Sequence, residues 1–223
     1  MPRQFEVIFM PNKLPPVIFI SGSPGIDFLN SVATPVDTVV EWIGNGKDFI
    51  DWLRQAGLLT ARDISTIQSN FSAGELDAIA LRARELRKWF RDFVKKHQGK
   101  VLSPRALTGL GPLNELLGRD QVFWSIVPGN ASGRDAGSNP SPLAFNLRRQ
   151  RRWRTPESVL APVVEELAKV VCGLNFKYIK ECEGKKCTLF FYDGTRRRKR
   201  RWCTMAICGN RAKQEVFRKR TKN

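Results

Sequence analysis

Apolar residues recur every three or four positions along two stretches of the chain, and each recurrence has a start and a stop. Leu76, Ile79, Ala83, Leu86, Phe90 and Phe93 carry the first. Ser72 and Glu75 stand before it at capping-box spacing and Gln98-Gly99 follows it, which predicts the longest helix. In the second, Leu160, Val163, Val164, Leu167, Val170 and Val171 form one face, with Thr155 as cap, Pro156 at the first helical position and Gly173 as stop. Phe49, Ile50, Trp52 and Leu53 predict a shorter helix ended by Gly57, and "GPLNELLG" another begun by proline. Cys172 lies at the apolar end of the second pattern and reads as a buried small hydrophobe.

Other segments have β character. Phe5 to Met10 and Pro16 to Ser21, split by Pro-Asn-Lys-Leu-Pro, predict a pair of short strands in a hairpin. "QVFWSIVP" and "PLAFNLRRQRRWR" flank the Gly/Ser/Asn-rich stretch Gly129 to Ser141, which reads as a flexible loop. No internal repeat is found. The whole is an α+β protein, with a mixed helical and β domain over residues 1–175 and a small module over residues 176–223.

Charge sets the second part apart. Of the net +17 carried by 223 residues, residues 177–223 hold +12, from 16 Lys/Arg against 4 Asp/Glu. A field concentrated this way favours a polyanion, with nucleic acid ahead of an anionic membrane because no apolar amphipathic stripe accompanies it. No run approaches the ~18 apolar residues of a membrane span. The opening "MPRQFEVIFMPNKLPPVIFISG" is broken by prolines and charges where a signal peptide needs an unbroken apolar stretch, so a cytoplasmic protein is expected.

Four of the five cysteines crowd into the basic module as Cys182-x4-Cys187-x15-Cys203-x4-Cys208. Two similar pairs can each span one edge of a tetrahedron of thiolates around zinc, and Gly184 fits the turn of the first pair. Between the pairs, "TLFFYDGTRRRKRRW" predicts an apolar strand, an Asp193-Gly194 hairpin turn and a basic return strand, and Cys208 then opens a helix. Some 45 residues have too small a core to fold alone, so one structural Zn²⁺ would supply the missing stability. Two disulfides, or four unrelated thiols, are the competing readings; a reducing compartment favours metal.

"CEGKKC", "LFFYDGTRRRKRRWC" and "CGNRAK" resemble the C-terminal zinc finger of the CGNR family, whose name spells Cys208, Gly209, Asn210 and Arg211. In that family the finger follows an ABATE domain. "GIDFLNSV", with Asp27, Phe28 and Asn30, is similar to that domain's Leu-Asp-Phe-x-Asn-Thr signature, and "ARELRKWF" to its Arg-Glu-bearing helix. Ile26 and Ser31 replace the usual leucine and threonine. The resemblance implies a treble-clef-like finger behind an α+β ligand-sensing module of stress-related transcription regulators.

Arg196, Arg197, Arg198, Lys199, Arg200 and Arg201 are consecutive, so on a strand they would divide between two faces. With Arg211 and Lys213 on the first turn of the last helix and Arg218, Lys219 and Arg220 near its end, they predict a basic surface for DNA, RNA being the alternative. Backbone amides beside Arg211 would add an anion site. A solvated tail is the bland reading, and for Arg211 packing on Trp202 or a loop carbonyl competes with a phosphate contact. The five arginines between Arg148 and Arg154 extend this surface, line an anion pocket, or form an exposed strand face. Asp27, Asn30, Arg84 and Glu85 are candidates for the pocket of a small effector, with a capping or ion-pairing role as the alternative. His97 beside two lysines reads as surface. With no phosphate loop, nucleophile elbow or paired metal motif in the larger domain, no enzyme is expected. A single finger defines a site best as part of a homodimer. RNA binding or protein docking through a basic platform is the other function considered.

Overall fold

The computed structural model describes residues 15–34, 38–128 and 145–220. Its centre is α4 (Ala73–His97), whose Ser72 and Glu75 form the expected capping box. Leu76, Ile79, Ala80, Ala83, Phe90 and Val94 on one face are buried. Against it pack α1 (Pro24–Leu29) and α2 (Gly46–Gln55), the latter bringing Phe49, Trp52 and Leu53 and ending just before Gly57 at φ 72°. The second apolar pattern begins as a 3₁₀ turn (Pro156–Leu160) that runs into α6 (Ala161–Gly173). Thr155 precedes this turn without a side-chain cap bond. Gly25 lets α1 lie against α6, because a Cβ there would come within 2.6 Å of the Glu166 carbonyl oxygen.

Two predicted features change. Pro16 to Ser21 belongs to no sheet, because the Asp27 carboxylate accepts from the amides of Ile20 and Ser21 at 3.1 and 3.0 Å and so occupies donors that a strand partner would need. Phe5 to Met10 lies outside the described residues, as does Gly129 to Ser141. A further helix, α3 (Ala61–Asn70), stands where none is expected; Thr60 and Asp63 cap it, and Ile67 is its one fully buried residue. α5 (Gly111–Gly118) forms as expected.

The described strands make three two-stranded antiparallel sheets: β1 (Val32–Ala33) with β2 (Val40–Glu41), β3 (Val122–Pro128) with β4 (Phe145–Arg151), and β5 (Ile179–Glu181) with β6 (Phe190–Tyr192). The cysteine module shares the core of the larger part. Ile179, Leu189, Phe190 and Phe191 lie in one buried cluster with Leu29, Phe90 and Val94.

The β3–β4 arm is tied down at its base. Arg151 pairs with Asp120 at 2.6 Å and with Glu165 of α6 at 2.9 Å, and Arg149 reaches Glu165 at 2.9 Å. Burial opposes ionisation of Glu165, but hydrogen bonds from Arg149, Lys169 and Arg151 overcome it and bring its pKa down to about 2. A carboxylate more acidic in the folded chain stabilises it above the ordinary glutamate range, and that contribution is lost as pH falls towards 2. Glu165→Gln is therefore expected to melt below wild type at neutral pH, with the gap closing by about pH 2. Thermal melts at both pH values check it; a gap independent of pH rejects the assignment.

Candidate metal centre and nucleic-acid interface

The two cysteine pairs meet. The Sγ atoms of Cys182, Cys187, Cys203 and Cys208 all lie within 4.8 Å of one another. Cys187 and Cys203 are 3.8 Å apart and Cys203 and Cys208 3.5 Å. Four sulfurs on a tetrahedron ~2.3 Å from a central zinc are spaced at about 3.8 Å, so the donor set fits that ion. Local backbone builds each corner. The Cys187 amide donates to the Gly184 carbonyl to close the first turn, while the amides of Gly184 and Cys203 point at Cys182 Sγ at 3.5 and 3.2 Å. A Cβ on Gly184 would stand 3.1 Å from Cys208 Sγ, a tight approach that glycine avoids.

Electrostatics gives the same answer. Hydrogen bonds from the Cys187 and Cys203 thiols draw the Cys182 pKa down, and the resulting thiolate pushes Cys187 and Cys203 up. Burial does the same to Cys208. Four sulfurs so placed do not ionise together unaided, and a divalent cation at their centre balances them. The centre is that of a zinc finger holding one structural Zn²⁺.

The segment between the pairs differs from the predicted hairpin. β6 pairs not with a basic return strand but with β5, which precedes Cys182: Ile179 faces Tyr192, and Glu181 faces Phe190. The cause is Asp193, whose side chain is fully enclosed. It accepts from Lys180 Nζ at 2.7 Å, Thr195 Oγ1 at 2.6 Å and the Arg200 amide at 2.9 Å, while Lys180 also donates to the carbonyls of Arg198 and Arg200. Burial resists its charge, and these donors, Lys180 first, hold its pKa well below the usual carboxylate range. The basic run therefore curls around a buried carboxylate, and Arg198 adopts a left-handed φ of 52°.

This curl sorts the six basic residues. Arg198 stacks over Tyr178 at 4.4 Å and donates to the Asp193 carbonyl. Arg200 lies over Phe191 at 4.4 Å and donates to the carbonyls of Trp202 and Cys203. Arg201 pairs with Glu183 at 2.6 Å and lies over Trp202. Arg196, Arg197 and Lys199 are exposed, with no acidic partner among the described residues. Arg197 and Lys199 line a concavity of about 540 Å³ with Trp202, Thr204 and Met205.

A π-type turn, Met205–Gly209, carries Cys208 and runs into α7 (Asn210–Arg220). Thr204 caps this turn, and the amides of Gly209 and Asn210 are bonded to carbonyls within Thr204–Ile207. The helical N-terminus thus lies at Met205, not beside Arg211, and the anion site expected there is not formed. Lys213 is exposed; Arg211 and Arg218 line a second cavity with Lys185, Lys186, Cys187 and Cys208. Met205 and Ile207 are about half exposed among these cations, at 50% and 43%.

The residues weighed for an effector meet protein groups. Asp27 holds the Ile20–Ser21 turn. Arg84 donates to the carbonyls of Ile43 and Gly44, and Glu85 is exposed. Asn30 is 1% exposed and makes a two-point bond to the backbone of β6: its Nδ2 donates to the Phe190 carbonyl at 2.9 Å and its Oδ1 accepts from the Phe190 amide at 2.8 Å. Nearby, Arg91 donates to the carbonyls of Leu29 and Thr188 and lies over the Phe190 ring. Arg87, overlooked by sequence reasoning, is buried against Glu41 and Ser31. His97 packs its ring 4.6 Å from Phe93. Cys172 is exposed, against expectation; two residues past Val170, it falls about 200° around the helix from that buried position.

The five arginines near Arg154 meet different fates. Arg149 and Arg151 are ion-paired, but all five line, with Arg62, a cavity of about 820 Å³ that Asp63, Phe123 and Trp153 also border.

A family model for ABATE, described as "putative stress-induced transcription regulator", matches residues 22–174, and one for the CGNR zinc finger matches residues 178–221. The chain belongs to the ABATE family. No curated protein matches it. The ABATE part begins at the α1 segment whose Asn30 holds the CGNR finger by the Phe190 backbone, so these 2 hydrogen bonds join the two matched regions. Asn30→Ala would leave a buried amide and carbonyl unpaired, at a cost of about 3 kcal/mol. Urea unfolding of the zinc-loaded protein is expected to show that loss. A change within error would make the contact incidental.

Proposed function

We propose that this ABATE–CGNR chain is a regulator that grips duplex DNA through its finger and takes a small anionic effector on its ABATE part. The observation that carries the first half is the sorting of the basic run: Arg196, Arg197 and Lys199 stand outward without acidic partners, on a loop held in shape by Asp193 and the metal centre. Cations on a fixed scaffold suit the regular spacing of phosphates, and Met205 and Ile207 offer apolar contact beside them. Zinc here organises the surface and performs no chemistry, and turnover is no part of this reading.

Binding of the zinc-loaded chain to random duplex DNA and to a structured RNA, each across a salt series, tests it. Duplex is expected to bind more tightly, with log affinity falling by about 0.9 per phosphate contact per decade of salt. Preference for the RNA would replace the proposal with RNA recognition, and no binding to either would leave a docking module.

For the effector half, the cavity lined by Arg62, Arg148, Arg152 and Arg154 is a better location than Asp27, Asn30 or Arg84, which already serve the fold. Arg152 is oriented over Phe123 at 5.0 Å, so guanidinium charge and an aromatic surface stand together. Pyrophosphate and a nucleoside triphosphate are suitable probes in a thermal-shift titration. Loss of the shift in Arg148→Ala/Arg154→Ala is expected, and an unchanged shift removes the site.

A further inference from the structure

Among the described residues, one face of the β3–β4 arm is left open along its outer part. Strand register puts Ile126 opposite Leu147, Pro128 opposite Phe145 and Trp124 opposite Arg149, so all of these share a side. On that side Trp124 is 62% exposed, Ile126 74%, Phe145 65% and Leu147 68%. Phe123, Ser125 and Val127 on the opposite side are half-buried. The near-continuous apolar run of β3 is what a strand covered on both faces requires, yet the described residues supply one cover. Two strands alone are also marginal in water without a packed face.

We infer that a second copy of this chain covers the open face, two arms packing face to face about a twofold axis. Size is the first reason. Four largely exposed apolar side chains and the edge of Val122 present on the order of 600 Å² per copy, close to the ~800 Å² per partner of a standard interface and at the top of the range for incidental patches. Charge is the second. A chain of net +17 repels its own copy over most of its surface. Here the neighbouring cations are already matched: Arg149 by Glu165, and Arg151 by Asp120 and Glu165. The apolar strip is thus a place where two such chains can touch without bringing unpaired like charge together. A twofold contact uses the same patch on both copies, which a self-complementary apolar strip satisfies. It would also carry two fingers, giving a DNA site two halves; that consequence rests on the proposed function, whereas the contact itself does not.

Sedimentation of the full zinc-loaded chain from about 1 to 100 μM tests the inference. The expected species is a dimer of twice 25.4 kDa. Ile126→Glu/Leu147→Glu should raise the dissociation constant at least about 100-fold, because it sets charges facing one another in an apolar contact, while Asn146→Glu on the other side should leave it unchanged. Zinc content of one per chain in each variant shows that the finger is intact. Should the double variant misfold, Trp124 fluorescence serves instead: emission shifts to the blue as concentration rises in wild type and not in Trp124→Phe. A wild type that stays monomeric at 100 μM overturns the inference, as does a dimer indifferent to the paired glutamates. DNA binding by a monomer would separate failure here from failure of the proposed function.

Discussion

Cys203→Ser is expected to strip the chain of its zinc and to lower its melting temperature by about 10 °C or more. Cys203 is 2% exposed, its Sγ lies within reach of Cys187 and Cys208, and its amide donates to Cys182 Sγ. A serine hydroxyl is a poor ligand for zinc beside three thiolates, and structural sites close their tetrahedron with protein donors. Metal binding of this kind supplies about 10–16 kcal/mol in isolated fingers, of which only a part needs to be lost for this effect. The loss should spread beyond the finger. Phe190 and Phe191 between the cysteine pairs share a core with α4, and Asn30 holds Phe190 from the other part of the chain. Metal content by mass spectrometry with thermal melts checks both effects. Full zinc retention in the variant would dismiss the four-thiolate centre, and zinc loss without a change in melting would mean that the two parts are energetically separate.

What the sequence reveals follows how local each determinant is. For α4, cap, apolar stripe and stop all lie within the helix and its flanks, so the prediction holds along its length. The cysteine centre is legible because two short chelating turns repeat. The basic return strand is expected on equally local grounds, but the backbone there obeys Asp193 and Lys180, which stand on either side of the knuckle and meet only in the folded chain. α3 has a capping box but too few apolar positions to declare a buried face. Arg87 looks like any charge on a helix until Glu41, 46 residues earlier, is placed beside it. Asn30 is the clearest case. Its motif marks it as a candidate pocket residue, whereas its partner is backbone 160 residues away, and a backbone partner leaves no mark in the sequence. The same holds for the open face of the arm: the apolar run of β3 is readable, but which side the fold covers depends on where α3 and α6 lie.

Neutralising Arg196, Arg197 and Lys199 together, as glutamines, is expected to weaken duplex binding by about 10²-fold at 100 mM salt and to reduce the salt slope by about 2.7, with melting temperature and zinc content unchanged. All three side chains face solvent, so no fold contact is removed. Arg198→Gln or Arg200→Gln should act in the reverse way. Arg200 alone is bonded to the carbonyls of Trp202 and Cys203 and lies against Phe191, so its loss should destabilise the finger by about 2 kcal/mol. Any change in its DNA binding would then follow the loss of zinc rather than the loss of one charge. Measuring affinity, salt slope and melting temperature on the same variants separates the classes, because a solvated basic tail would give all six positions similar slopes and no stability differences. Unchanged affinity in the triple variant would move the DNA contact to Lys213 and the α7 side, or to Arg148, Arg152 and Arg154 by the arm. That outcome would leave the metal centre intact while reversing the face of the finger that meets DNA.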